Sequence, residues 1–68
     1  MNNLINIIFG MKVRQARLEA NLTLSEFAGQ CELSPSYVTE IEKGRKYPRA
    51  DKIMRMAEVL DKSYDELV

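Results

Sequence analysis

Along the 68 residues, apolar positions recur at helical spacing. Phe9, Val13, Ala16 and Ala20 fall at i, i+4, i+7 and i+11, which gathers them into one stripe while Lys12, Arg14 and Glu19 point elsewhere. Asn21, tolerant of the left-handed conformation, suits the end of this first helix. Thr23 opens a second helix as its N-cap, Glu26 completes a capping box, and Phe27, Ala28 and Cys31 form the inner face. Ser34 caps a third helix, with Pro35 at the first helical position where its missing N–H costs nothing, and Gly44 stops it. Val38 and Ile41 are its buried pair. After a loop containing Pro48, Ile53, Ala57 and Leu60 stack at i, i+4 and i+7 beside Met56, and Asp51 suits the first turn of this fourth helix. Ser63 and Glu66 make a second capping box, opening a last turn that is expected to carry Tyr64 and Leu67 inward. No stretch alternates as a strand would, and hairpin dipeptides are absent. The pattern predicts an all-α, compact five-helix domain.

Composition narrows the function classes. A chain of this length forms one small domain, near the lower end of what a single core stabilises. With no His and one Cys, Cys31, there is no zinc set, no His-based triad and no internal disulfide. No metal or cofactor is expected. Glu40 and Glu42 are two apart on a helix and do not face each other, and no Gly-rich loop accompanies them, so an enzyme is not expected. The longest apolar stretch, residues 4–9 broken by Asn6, is far short of the roughly 20 residues that span a bilayer and lacks the flanks of a signal peptide. A cytoplasmic protein without membrane contact is expected.

Formal net charge is zero, which argues against a polyanion partner until the charges are placed. Residues 43–55 hold Lys43, Arg45, Lys46, Arg49, Lys52 and Arg55 against Asp51 alone, whereas the last thirteen residues hold four acids against Lys62. Neutrality is the sum of a basic segment and an acidic tail, although solvated helix surfaces also show such runs. The basic segment follows two short helices joined by a few residues, the arrangement a helix-turn-helix reader needs. The major groove admits one helix, a preceding helix crosses the phosphates to hold it there, and N–H groups at helix starts bind phosphate oxygens. Opposite Val38 and Ile41, the third helix exposes Pro35, Ser36, Thr39, Glu40 and Lys43.

The stretch Leu22-Thr23-Leu24-Ser25-Glu26-Phe27-Ala28, then Leu33-Ser34-Pro35-Ser36-Tyr37-Val38-Thr39-Glu40-Ile41-Glu42-Lys43-Gly44-Arg45, the trailing Pro48, and the ending Ser63-Tyr64-Asp65-Glu66-Leu67 resemble the lambda-repressor-like (Cro/C1-type, XRE) helix-turn-helix family. The resemblance covers roughly residues 9–68. It implies a sequence-specific regulator of transcription, most often a repressor, that binds operator DNA through the major groove with helices two and three. By matching positions it implies an ion pair between Arg17 and Glu42, with two solvated charges as the alternative. It implies phosphate contacts from Thr23, Ser25, Lys43, Arg45 and Lys46, and base-edge contacts from Ser36, Thr39 and Glu40, with Pro35 against a thymine methyl. Arg49 matches a residue that enters the minor groove in some members; an exposed helix-start charge is the competing reading. Tyr37 either presents its hydroxyl to a phosphate while its ring covers the junction of helices two and three, or simply packs there.

Three departures stand out. Glu32 replaces the usual turn Gly, at a cost of about 1 kcal/mol if φ is positive. Leu24 replaces a Gln that commonly reaches phosphate, and Asp61-Lys62 replaces Gly-Val, which is expected to loosen the last turn. Residues 1–8 lie outside the resemblance as an apolar extension: Leu4, Ile5, Ile7 and Ile8 either continue helix one and pack on the core, the favoured reading, or form a self-association surface. One reading helix spans only a few base pairs, so a homodimer on double-stranded DNA is expected. The Ser-Pro-Ser-Tyr start and the apolar Leu67-Val68 ending leave room for a following sensor domain. A helical protein-interaction domain without DNA binding, favoured by zero net charge and Leu24, is the alternative function.

Overall fold

Polar caps at helix starts and left-handed residues at helix ends divide the chain into five helices. In the computed structural model, which describes residues 3–68, they are α1 (Leu4–Glu19), α2 (Leu24–Gln30), α3 (Pro35–Glu42), α4 (Ala50–Leu60) and α5 (Tyr64–Leu67). The described residues contain no strand. Thr23, Ser34 and Ser63 each accept a hydrogen bond from the backbone N–H three residues on, and both capping boxes are closed.

Three turns repeat one solution. Asn21, Glu32 and Asp61 take φ of 59°, 60° and 57°. The next residue then donates its N–H back into the helix just ended: Leu22 to Arg17 O at 3.2 Å, Leu33 to Ala28 O and Lys62 to Ala57 O, both at 2.9 Å. These Schellman closures satisfy carbonyls that would otherwise lack partners, and a hydroxyl N-cap follows at once. The Asp61-Lys62 turn is therefore closed by two backbone hydrogen bonds rather than loosened. Glu32 does adopt the strained conformation, and its carboxylate lies 3.5 Å from the Arg55 guanidinium, which also donates to Cys31 O at 3.4 Å.

The core draws on every helix: Phe9, Val13 and Ala16 of α1, Phe27 and Ala28 of α2, Cys31 just after it, Val38 and Ile41 of α3, Ile53, Met56, Ala57 and Leu60 of α4, and Leu67 of α5. Two expected core positions are exposed. Ala20 is the C-cap of α1, where the chain already turns away. Tyr64 is 37% exposed, because α5 is a single turn at the rim of the core and only Leu67 reaches inward.

Helix α1 begins at Leu4, where Asn3 caps it by accepting from Asn6 N at 2.8 Å. Of the described apolar residues ahead of Phe9, only Ile7 is half-buried, seated against Gly44; Leu4, Ile5 and Ile8 are exposed. Residues 4–8 thus continue α1, with Ile7 against Gly44, while Leu4, Ile5 and Ile8 point off the side of α1 that meets the bundle. Met1 and Asn2 lie outside the described residues. At Gly10, α1 crosses the end of α3 so closely that a Cβ would collide with the carbonyl oxygens of Ile41 and Glu42.

Candidate nucleic-acid interface

The position of α3 is fixed by its buried Val38 and Ile41 and by contacts at its C-terminal end. Besides the Gly10 crossing, Arg17 and Glu42 form a bidentate pair, Nε to Oε2 at 2.8 Å and Nη2 to Oε1 at 3.1 Å, while Arg17 Nη1 donates to Leu22 O at 3.0 Å. Their side chains are only 10% and 8% exposed, so these are not two solvated charges. The hydrogen bond and the nearby Glu42 charge raise the Arg17 pKa against the opposing effect of burial. One guanidinium thereby ties α1 to the turn before α2 and to the end of α3. A fork of this kind sets orientation more than it adds stability.

The outer face of α3 carries the expected reading positions. Pro35, Ser36 and Lys43 are exposed, and Thr39 and Glu40 are half-exposed. Thr39 Oγ1 donates to Pro35 O at 3.0 Å, which commits its proton and leaves its lone pairs outward. Ser36 Oγ lies 3.3 Å from Ser34 Oγ. Glu40 is paired with Arg45 at 3.1 Å, so a proposed base reader and a proposed phosphate contact meet each other on the free protein.

Around this face the other candidates separate into groups. Thr23 is engaged in its capping box, its N–H donating to Glu26 Oε1 at 2.8 Å, and Ser25 is exposed in the first turn of α2. These hydrogen bonds from Thr23 hold the Glu26 carboxyl below its ordinary pKa. Leu24 is half-buried against the core, which explains an apolar residue there. Arg49 lies 3.6 Å from Asp51 in a solvent-exposed pair. Tyr37 is half-buried, packed against the core, with Lys46 Nζ 5.6 Å and Lys52 Nζ 4.8 Å from its ring centroid. Both readings of Tyr37 are geometrically compatible, since the ring packs without being enclosed.

The sequence places Lys52 in the basic segment without a contact role, because nothing in the spacing announces that α4 brings it to a ring on α3. Arg14 is a second addition: it lines a hollow of about 200 Å³ with Leu24, Thr39 and Lys43. The described residues hold no group of His, Cys, Asp and Glu suited to a metal ion and no helix long and apolar enough to cross a membrane. Burial pushes the Cys31 thiol up to about 11, against a smaller opposing effect of Arg55.

Two short capped helices, a rigidly held second helix with a polar outer face and a basic loop behind it define a DNA-binding helix-turn-helix domain. Residues 13–67 match the helix-turn-helix family (HTH_3), and the chain belongs to that family of DNA-binding transcriptional regulators, which are not enzymes. It is 36% identical over 61 residues to the control protein C.BamHI of Bacillus amyloliquefaciens, covering 88% of this chain and 75% of that protein. Among solved structures it is similar to the restriction-modification controller C.AhdI of Aeromonas hydrophila, with TM-score 0.92, 27% identity, and coverage of 97% of this chain and 100% of that one. It is also similar to SinR, a master regulator of biofilm formation solved in complex with DNA, with TM-score 0.83, 30% identity, and coverage of 87% of this chain and 95% of that one.

Proposed function

We propose that the chain is a cytoplasmic repressor that occupies operator DNA as a homodimer, with α3 in the major groove. The observation that carries this reading is the rigid presentation of α3: its buried side is locked by Gly10 and the Arg17–Glu42 fork, and its open side offers small polar groups. Pro35, Ser36, Thr39 and Glu40 read base edges. With its proton given to Pro35 O, Thr39 suits a base amino donor, and the Glu40 carboxylate suits a cytosine N4 donor. Thr23, Ser25, Tyr37, Lys43, Arg45, Lys46 and Arg49 hold the backbone or the minor groove and set register without reading sequence. The likeness to two control proteins and to SinR supports a regulator over a helical protein-interaction domain.

A second copy fits the side of α1 turned away from the core. Leu4, Ile8, Met11 and Leu18 are exposed at helical spacing, and between α1 and α5 lies an open groove of about 580 Å³ lined by Ile8, Met11 and Leu67. Lys12, Lys62, Glu19 and Glu66 also line it, so the surface carries both charge signs around an apolar strip, as a self-complementary two-fold interface requires. Two reading helices then address half-sites about 34 Å apart.

Titration of binding to a random duplex against salt tests the DNA reading: several phosphate contacts give a steep linear fall of log K with log salt. Absence of binding at low salt would leave the protein-interaction alternative.

A further inference from the structure

Within the basic segment, arginines and lysines are used differently. Arg45, Arg49 and Arg55 each face a carboxylate, of Glu40, Asp51 and Glu32 respectively. Among the described residues, no carboxylate lies within ion-pair distance of Lys46 or Lys52. Instead both ammonium groups converge on Tyr37, from the loop after α3 and from the first turn of α4. Two like charges gathered at one ring repel each other, and attraction to its π-system offsets that only in part. One ring, whose phenol hydroxyl is a hydrogen-bond donor, thus has two ammonium groups 5.6 Å and 4.8 Å from its centroid, neither paired with a carboxylate among the described residues. Tyr37 directly follows the exposed Ser36 on α3.

We propose that Tyr37, Lys46 and Lys52 form a preassembled clamp for adjoining phosphate oxygens of one DNA strand. Tyr37 acts as the positioning residue for two lysines drawn from separate elements, and Lys52 joins the backbone contacts as a principal member. The proposal rests on the DNA-binding reading above. An anion between the ammonium groups relieves their repulsion, and the ring lowers the cost of ordering two long side chains. The arginines must first give up an internal partner, so Arg55 and Arg49 contribute less per charge than either lysine.

Salt titrations of the full chain on one random-sequence duplex test the clamp. K46Q/K52Q is expected to make the log–log slope shallower by about 2, and each single substitution by about 1. R55Q leaves the slope nearly unchanged. Y37L keeps both charges but removes the ring, and is expected to bind about fivefold more weakly; K46Q and K52Q then cost less in that background than in the wild type. Y37F retains the ring and holds the lysines. Because Tyr37 packs on the core, Y37L is compared only where thermal unfolding shows it folded, while the lysine variants do not touch the core and decide the matter on their own. A wild-type slope retained in K46Q/K52Q overturns the clamp and leaves the DNA-binding reading standing. No binding by the wild type at low salt overturns both.

Discussion

Two glutamates two residues apart on α3 meet arginine in opposite settings. Glu42 is almost wholly enclosed, bound through both oxygens to Arg17, which spends a third donor on Leu22 O. Glu40 touches Arg45 through one contact of 3.1 Å, with side chains 33% and 55% exposed. The chemistry is the same and the consequence differs. Where water is excluded, neither partner can be lost without stranding a charge, so the pair acts as a joint between α1, the α2 entry and α3. Where water has access the pair is weak and exchangeable, so that under the proposed function a DNA phosphate can compete with Glu40 for Arg45. The helix is thus pinned on one face and available on the other.

The largest effect comes from breaking the enclosed pair. R17M or E42L alone is expected to lower stability by about 3 kcal/mol, read from denaturant midpoints, whereas R17M/E42L loses less than either single variant because no charge is left stranded. A double variant that loses the sum of both would mean that the pair is worth its full attraction and is not mainly a joint. G10A attacks the same end of α3 through sterics. Despite the helix propensity of Ala, it is expected to cost about 2 kcal/mol, since the obstacle is backbone of Ile41 and Glu42 rather than a movable side chain. G29A is the control: a Cβ there meets nothing within 4 Å, so it should raise the unfolding midpoint.

On the open face the effects on stability are smaller. E40Q is expected to change it by less than about 1 kcal/mol, yet to strengthen binding to random duplex and steepen its salt dependence, because Arg45 is released to phosphate. Weaker nonspecific binding by E40Q would place Glu40 in a structural role after all. The smallest effect concerns the capping carboxylates. The Glu26 and Glu66 pKa values are lowered by hydrogen bonds from Thr23 and Ser63, so their contribution is present above the ordinary carboxylate range and is lost as pH falls through the lowered values. E26Q/E66Q is accordingly expected to show a shallower acid-side decline in melting temperature than the wild type.

The helices were legible wherever sequence carries its own punctuation. Thr23 with Glu26, Ser34 with Tyr37 N–H, and Ser63 with Glu66 set three helix starts through contacts three residues apart, which a one-dimensional pattern contains. The start of α1 needed Asn3, a weaker signal, because an apolar run follows it and no acid sits in the first turn. Tyr64 and Ala20 misled because periodicity reports a face of a helix and not where the bundle ends. The polar face of α3 follows from its period, whereas the Arg17–Glu42 fork was implied by family resemblance and not by the residues themselves. What could not be read were meetings between distant segments: Phe9 with Tyr47, ring centroids 4.9 Å apart, Lys12 with Val68 O at 3.1 Å, Arg55 with Glu32, and Lys52 with Tyr37. Each depends on how helices cross, which no local spacing encodes.

The proposed division of labour has the outer face of α3 read bases while the basic residues around it hold the backbone. Selection of bound sites from a random duplex pool, run in parallel on the wild type, T39A/E40A and R45A/K46A, tests it most directly. The wild type is expected to enrich one paired motif. T39A/E40A shifts or blurs that motif without losing nonspecific affinity, and R45A/K46A keeps the motif while binding every sequence more weakly. The same motif and the same loss of affinity in both variants would contradict it.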